Sequence, residues 1–155
     1  MADHPSLKGR ALRLLAAQEY SRAELQFKLA RFEETPGSLA AVLDELQTKG
    51  FISEQRVLES VVHRRAAKLG ASLIRQELQH KGLDADAVSE AVAALKITEL
   101  QRAKAVWEKK FGVMAQDARE MAKQVRYLAA RGFDSDVIRR VVACRDGDQN
   151  VDDVL

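Results

Sequence analysis

A chain of 155 residues, 46% hydrophobic and 31% charged, can bury a full core or stack into a short solenoid, and its balance is ordinary for a helix-rich globular protein. Its one cysteine, Cys144, excludes an internal disulfide and fits a reducing compartment; the polar start with Asp3 has no apolar signal-peptide core, and no apolar run nears the ~18 residues of a membrane span, so a cytoplasmic protein is expected. The formal net charge of +2 hides an asymmetry: residues 1–48 carry −1, residues 49–140 carry +6 (18 Lys/Arg against 12 Asp/Glu) and residues 141–155 carry −3.

In chain order, Leu7 to Ala17 reads as a first helix, with Leu12 and Leu15 among its core candidates. Ser21 followed by Glu24 is a capping box that opens a second helix with Leu25 and Leu29 inside. Thr35 with Pro36 at the first helical position starts a third, in which Leu39, Leu43 and Leu46 align before Gly50. Ser53 caps a fourth helix, whose buried side is Val57, Val61, Val62 and Leu69, and Gly70 ends it. Leu73, Ile74 and Leu78 form the stripe of a fifth, stopped by Gly82, and Asp84 caps a sixth that buries Val88 and Val92. Thr98 with Gln101 forms another capping box, predicting a seventh helix that carries Leu100, Ala103, Trp107 and Phe111 up to Gly112. Asp117 with Glu120 starts an eighth through Met121, Val125 and Leu128, and a ninth spans roughly Ser135 to Ala143. The residues from Arg145 are acidic and weakly patterned, which predicts a frayed tail over 145–155. No segment alternates with the period of two that a strand needs.

The pattern repeats. From Leu78, a cap follows at +6 (Asp84) and apolar residues at +10 (Val88) and +14 (Val92); from Leu128 the same offsets give Asp134, Ile138 and Val142, and from Leu29 they give Thr35, Leu39 and Leu43. Gly132 matches Gly82, whereas Glu33 and Glu34 replace the glycine turn in the first copy. The expected architecture is therefore all-α, an elongated curved array of three tandem three-helix repeats over 7–50, 51–96 and 97–144, ahead of the acidic tail.

Enzyme chemistry is unsupported. His4, His63 and His80 make no HxxxH or HExxH spacing, and neither GxxxxGK[ST] nor GxGxxG occurs, so no metal, cofactor or catalytic set is expected. Asp84 and Asp134 recur in register, and capping explains them. The basic residues say more. Arg64, Arg65 and Lys68 lie at the end of the fourth helix, Arg75 and Lys81 in the fifth, and Arg102, Lys109 and Lys110 in the seventh. Arg119, Lys123 and Arg126 fall at i, i+4 and i+7 of the eighth, opposite its apolar stripe, and Arg131 follows. Cations in a last helical turn favour the macrodipole, a purely structural reason for Lys81, Lys109, Lys110 and Arg131. As a group on successive modules they form a candidate basic surface able to grip phosphates or carboxylates, although solvated helix faces also account for them. Trp107, Phe111 and Phe133 fit core positions; Tyr127 beside Arg126 is the only exposed-looking aromatic, a weak sign of nucleic-acid stacking.

These residues resemble the RecX regulators of the RecA recombinase. The strongest match is Ile74-Arg75-Gln76-Glu77-Leu78 followed by Lys81-Gly82, close to that family's central IRQEL…KG signature. Ser21-Arg22-Ala23-Glu24-Leu25 with Lys28-Leu29, Leu43-Asp44-Glu45-Leu46 with Gly50, Lys109-Lys110-Phe111-Gly112, and Arg126-Tyr127-Leu128 with Arg131-Gly132-Phe133 follow in order and cover roughly residues 10–142. Leu69-Gly70-Ala71-Ser72 replaces the family's aromatic–Gly–Pro turn, and Val57 stands where an aromatic is frequent. The resemblance implies nine helices in three repeats and a non-catalytic protein. It further implies binding in the groove of the RecA–single-stranded DNA filament and suppression of ATP hydrolysis and strand exchange; a monomer is expected, although the sequence leaves the oligomeric state open. Weak direct contact with DNA stays open, as does the rival reading of a helix-turn-helix protein that binds DNA by itself.

Overall fold

The computed structural model describes residues 4–143, so the acidic segment expected over 145–155, and Cys144, lie outside the described residues. Among the described residues there are eight α-helices, one short 3-10 turn and no strand. They are α1 (Leu7–Ala17), α2 (Arg22–Leu29), the 3-10 turn Ala30–Phe32, α3 (Ser38–Thr48), α4 (Glu54–Arg65), α5 (Ala71–His80), α6 (Ala85–Lys110), α7 (Ala118–Ala130) and α8 (Ser135–Ala143).

The local chemistry that sets these ends is the one the sequence carries. Ser21 makes the full capping box, its Oγ accepting from the Glu24 N–H at 3.1 Å while the Glu24 carboxylate accepts from the Ser21 N–H at 3.0 Å. Asp84 accepts from Ala87 N–H, Asp117 from Glu120 N–H and Asp134 from Asp136 N–H, which starts α6, α7 and α8. Gly82 and Gly132 take the left-handed conformation at φ 72° and 86°, and in each case the next residue's N–H bonds back to the anchor leucine carbonyl, Leu78 or Leu128. The anchors Leu29, Leu78 and Leu128 are buried, as are Leu39, Leu43, Val88, Val92, Ile138 and Val142 at the repeated offsets.

Three element boundaries differ from expectation. The fourth helix ends at Arg65 and not at Gly70, so Lys68 and the half-buried Leu69 lie in the turn that follows it. Thr35 does not cap α3; Thr35 to Ser38 closes a turn with Pro36 second and Gly37 third at φ 87°, and the helix begins at Ser38. The cap comes from Glu33, whose carboxylate accepts from the Leu39 N–H at 2.8 Å, so one of the glutamates that broke the repeat pattern has a local structural role. Thr98 likewise does not start a helix. It sits inside the continuous 26-residue α6, where no Gly or Pro interrupts the chain. Its hydroxyl donates back to the Leu95 carbonyl and accepts from Arg102 Nε, which satisfies it in the helix interior without a cap. The third helical pair is therefore preceded by the second half of α6.

By packing, the described fold falls into two compact units: Met1–His63 with Glu77–Val88, and Arg64–Gln76 with Ser89–Leu155. The first is built on Ala11, Leu25, Leu29, Leu39, Leu43, Leu46 and Ile52, with Leu12 and Leu15 half-buried against them. The second is built on Ala103, Leu128, Phe133, Ile138, Val141 and Val142, flanked by half-buried Trp107, Met121 and Val125.

Each unit contains one joint between successive repeats, made in the same way. In the first unit the turn at Lys81–Gly82 seats on the start of α2: Ser21 Oγ donates to the Lys81 carbonyl at 2.6 Å, and Lys81 Nζ meets the Glu24 carboxylate at 3.0 Å. A Cβ on Gly82 would lie 2.8 Å from the Ala23 Cβ. In the second unit the turn at Arg131–Gly132 seats on the start of α5: the Gly70 N–H donates to the Arg131 carbonyl at 2.8 Å. There a Cβ on Gly70 would overlap the Gly132 carbonyl and come within 2.5 Å of the Phe133 nitrogen. Ser21 and Gly70 are both N-cap residues, since the carbonyl of each accepts the first bond of its helix, from Leu25 and Ile74.

Candidate functional site

Of the twelve basic residues singled out in the sequence, only Lys81 falls in the first unit; the other eleven belong to the second. Lys81 is committed to its joint. Its side chain is 15% exposed and holds Glu24, whose carboxyl feels an upward push from burial. The Ser21 N–H and the Lys81 ammonium outweigh that push and keep the Glu24 pKa below its ordinary 4.5.

Arg102 is also used internally. From α6 its Nη1 donates to the carbonyls of Ala66 at 2.9 Å and Leu69 at 2.7 Å, and its Nη2 to the Leu95 carbonyl at 2.9 Å. Burial lowers its pKa from the ordinary arginine value, with the neighbouring Glu99 acting in the opposite direction. Glu99 is itself buried, and its carboxylate accepts from the Ala71 N–H at the first turn of α5, where a negative charge suits the helix dipole. This pair, which spacing alone did not single out as a unit, pins the turn at 66–69 against α6 and so fixes where Lys68 stands. Arg65 is half-buried and is not a free cation.

Lys68, Lys109, Lys110 and Arg131 come together. They surround a cleft of about 530 Å³ in the second unit, floored by Ala67, Ala105, Val106 and Tyr127. Tyr127 is half-buried and not the free aromatic expected from sequence. Phe111 meets it edge-to-face at 5.3 Å, the Arg131 guanidinium lies 4.4 Å from its ring centre and the Lys110 ammonium 5.4 Å. Two stretches far apart in sequence, Lys109 to Gly112 and Arg126 to Phe133, thus converge on one ring.

Arg64, Arg75, Arg119 and Arg126 are exposed on α4, α5 and α7 and do not line the cleft. Lys123 lines a separate recess of about 290 Å³ beside Phe111, Val113, Met114 and Glu120. The wall of that recess is held by Gln124, a buried amide that donates to the Val113 carbonyl and accepts from the Trp107 indole, both at 3.0 Å. Among the described residues no group of three or more His, Cys, Asp or Glu is placed to hold a metal ion, and no helix is long and apolar enough to cross a membrane.

Comparison with known proteins gives these features a family. Models described as the first, second and third three-helix domains of RecX match residues 8–46, 53–92 and 98–142. The regulatory protein RecX of Leptothrix cholodnii is 52% identical over 147 residues, covering 95% of this chain and 94% of the relative. The chain belongs to the RecX family. The RecX of Herminiimonas arsenicoxydans is 47% identical over 145 residues. Among solved structures, that of RecX from Lactobacillus salivarius superposes with a TM-score of 0.73 at 20% identity, covering 88% of this chain and 92% of the other, which shows a shared fold. The RecX signature residues turn out to be divided in role. Ile74 and Leu78 are buried, Lys81 and Gly82 make the first joint, and the side chains of Arg75 and Gln76 are exposed.

Proposed function

We propose that this RecX family member is a non-catalytic cytoplasmic regulator that acts as a monomer on the RecA–single-stranded DNA filament, binding in its groove and inhibiting ATP hydrolysis and strand exchange. Family membership carries this reading: all three RecX domains match in order, and relatives named regulatory protein RecX are similar along nearly the whole chain. The concentration of cations in the second unit supports it, since a filament of protein on nucleic acid offers both phosphates and carboxylates.

The mechanism is a population shift. A ligand that touches adjacent filament subunits and favours one relative arrangement opposes every step that needs another, so turnover and growth fall together. The contacts we assign are Arg64, Lys68 and Arg75 with Arg119, Lys123 and Arg126, joined by the cleft cations Lys109, Lys110 and Arg131; Arg65, already engaged within the chain, is not among them. Lys81 and Arg102 contribute by holding the elements that carry the others.

The test adds the purified chain to a RecA–single-stranded DNA reaction and follows ATP hydrolysis. Inhibition is expected to reach a plateau at saturation and to weaken when Arg119, Lys123 and Arg126 are reversed together, with helicity unchanged. Hydrolysis at full rate under saturating chain would end the reading. Salt-sensitive binding to naked duplex DNA in its place would favour the direct DNA-binding alternative.

A further inference from the structure

The cleft around Tyr127 carries an inference that goes beyond the filament reading and does not require it. Four cations, Lys68, Lys109, Lys110 and Arg131, surround it, and none of the residues lining it is acidic. Lys68, Lys109 and Lys110 are exposed and form no ion pair among the described residues. Arg131 is different. Its Nε is fully buried and has no hydrogen-bond acceptor among the described residues, a costly state for a charged donor. The cleft thus carries uncompensated positive charge.

Two features select among anions. The floor is apolar, formed by alanine and valine side chains and the Tyr127 ring. A bare phosphate is strongly hydrated and gains nothing from such a floor, whereas an apolar side chain does. The Tyr127 ring is also already engaged by Phe111, Lys110 and Arg131, so it offers a nucleic-acid base no open platform for stacking. We propose that this cleft docks an acidic peptide segment of a partner protein, seating an apolar side chain on the floor between carboxylates that pair with the four cations. A cleft of about 530 Å³ is of the size that holds a few side chains.

The test measures binding of the full chain, without recombinase or nucleic acid, to a short labelled synthetic peptide of alternating acidic and leucine residues. Fluorescence anisotropy is the readout, with two control probes: the same peptide with Asn and Gln in place of its carboxylates, and an oligothymidylate of equal length. Salt-sensitive binding of the acidic peptide is expected, about tenfold weaker in Lys109→Glu/Lys110→Glu and again in Lys68→Glu, and weak for the amide peptide. These lysines are exposed, so circular dichroism should find helicity unchanged in the variants, with Tm lowered only slightly by the loss of last-turn cations in α6. Equal binding of the acidic and amide peptides would overturn the proposal, as would affinity that the lysine reversals leave untouched. So would an oligothymidylate that binds where the acidic peptide does not. Because no filament is present, failure here leaves the filament reading standing, and loss of that reading leaves this one intact.

Discussion

The two joints between repeats are built on one plan with different materials. At both, the carbonyl of the basic residue before a left-handed glycine accepts a hydrogen bond from the N-cap residue of the preceding repeat's helix. In the first joint the donor is a side chain, Ser21 Oγ, and an ion pair between Lys81 and Glu24 reinforces it. In the second joint the donor is the Gly70 backbone, and the closest approach is backbone on backbone. A joint made by side chains leaves room for adjustment. One made by two backbones demands glycine, because any Cβ meets atoms that cannot rotate away. The difference also frees Arg131 from the role its counterpart Lys81 plays: Lys81 turns inward to a carboxylate, while Arg131 lies over Tyr127 in the cationic cleft.

The sharpest way to break this comparison is to add one methyl group on each side. Gly70→Ala should cost the fold about 3 kcal/mol or more, because the new Cβ overlaps the Gly132 carbonyl and the two turns must separate. Gly82→Ala should cost about 1–2 kcal/mol, from the left-handed backbone and a side-chain clash with Ala23. Adding Ala23→Gly should relieve the clash in the second case, and no neighbouring side-chain change should rescue the first. Urea denaturation of the variants decides it; equal losses would mean that the two joints are equally compliant.

The supports of each joint give the next effects. Arg102→Ala removes three hydrogen bonds to carbonyls and frees the turn before Gly70, at about 2–3 kcal/mol. Ser21→Ala removes a buried hydroxyl that caps α2 and donates to Lys81, at about 1–2 kcal/mol. Hydrogen exchange should locate the first loss at the start of α5 and the second at the start of α2.

The smallest effect is one of pH. The Glu24 carboxyl is held below 4.5 in the folded chain, so its contribution is present above that value and is lost as acid protonates it. The second joint has no ion pair at the matching position. Between pH 6 and 3, amides around Ser21 and Gly82 should therefore lose protection before those around Gly70 and Gly132. Simultaneous loss would remove Glu24 from the account.

Legibility in the sequence followed the range of the interaction. Leu29, Leu78 and Leu128, the caps at Asp84, Asp117 and Asp134, and the glycine stops were readable because a helix end is decided by groups within about four residues. Where a local signal misled, a competing local partner had won. Thr98 reads as a cap but bonds back into its own helix, and Glu33 reads as a break in the pattern but caps α3.

By itself, then, the sequence determined the helical class, most of the helices, their repetition and the family, but not that the expected sixth and seventh helices are one. The tertiary structure alone decided which cations are available. Lys81 is consumed by a glutamate 57 positions away and Arg102 by carbonyls 33 and 36 positions away, while Lys68, Lys109, Lys110 and Arg131 gather around one tyrosine. A side chain's charge is a property of its residue type, but whether that charge is neutralised depends on what the folded chain brings within a few ångströms, and no local pattern encodes that distance.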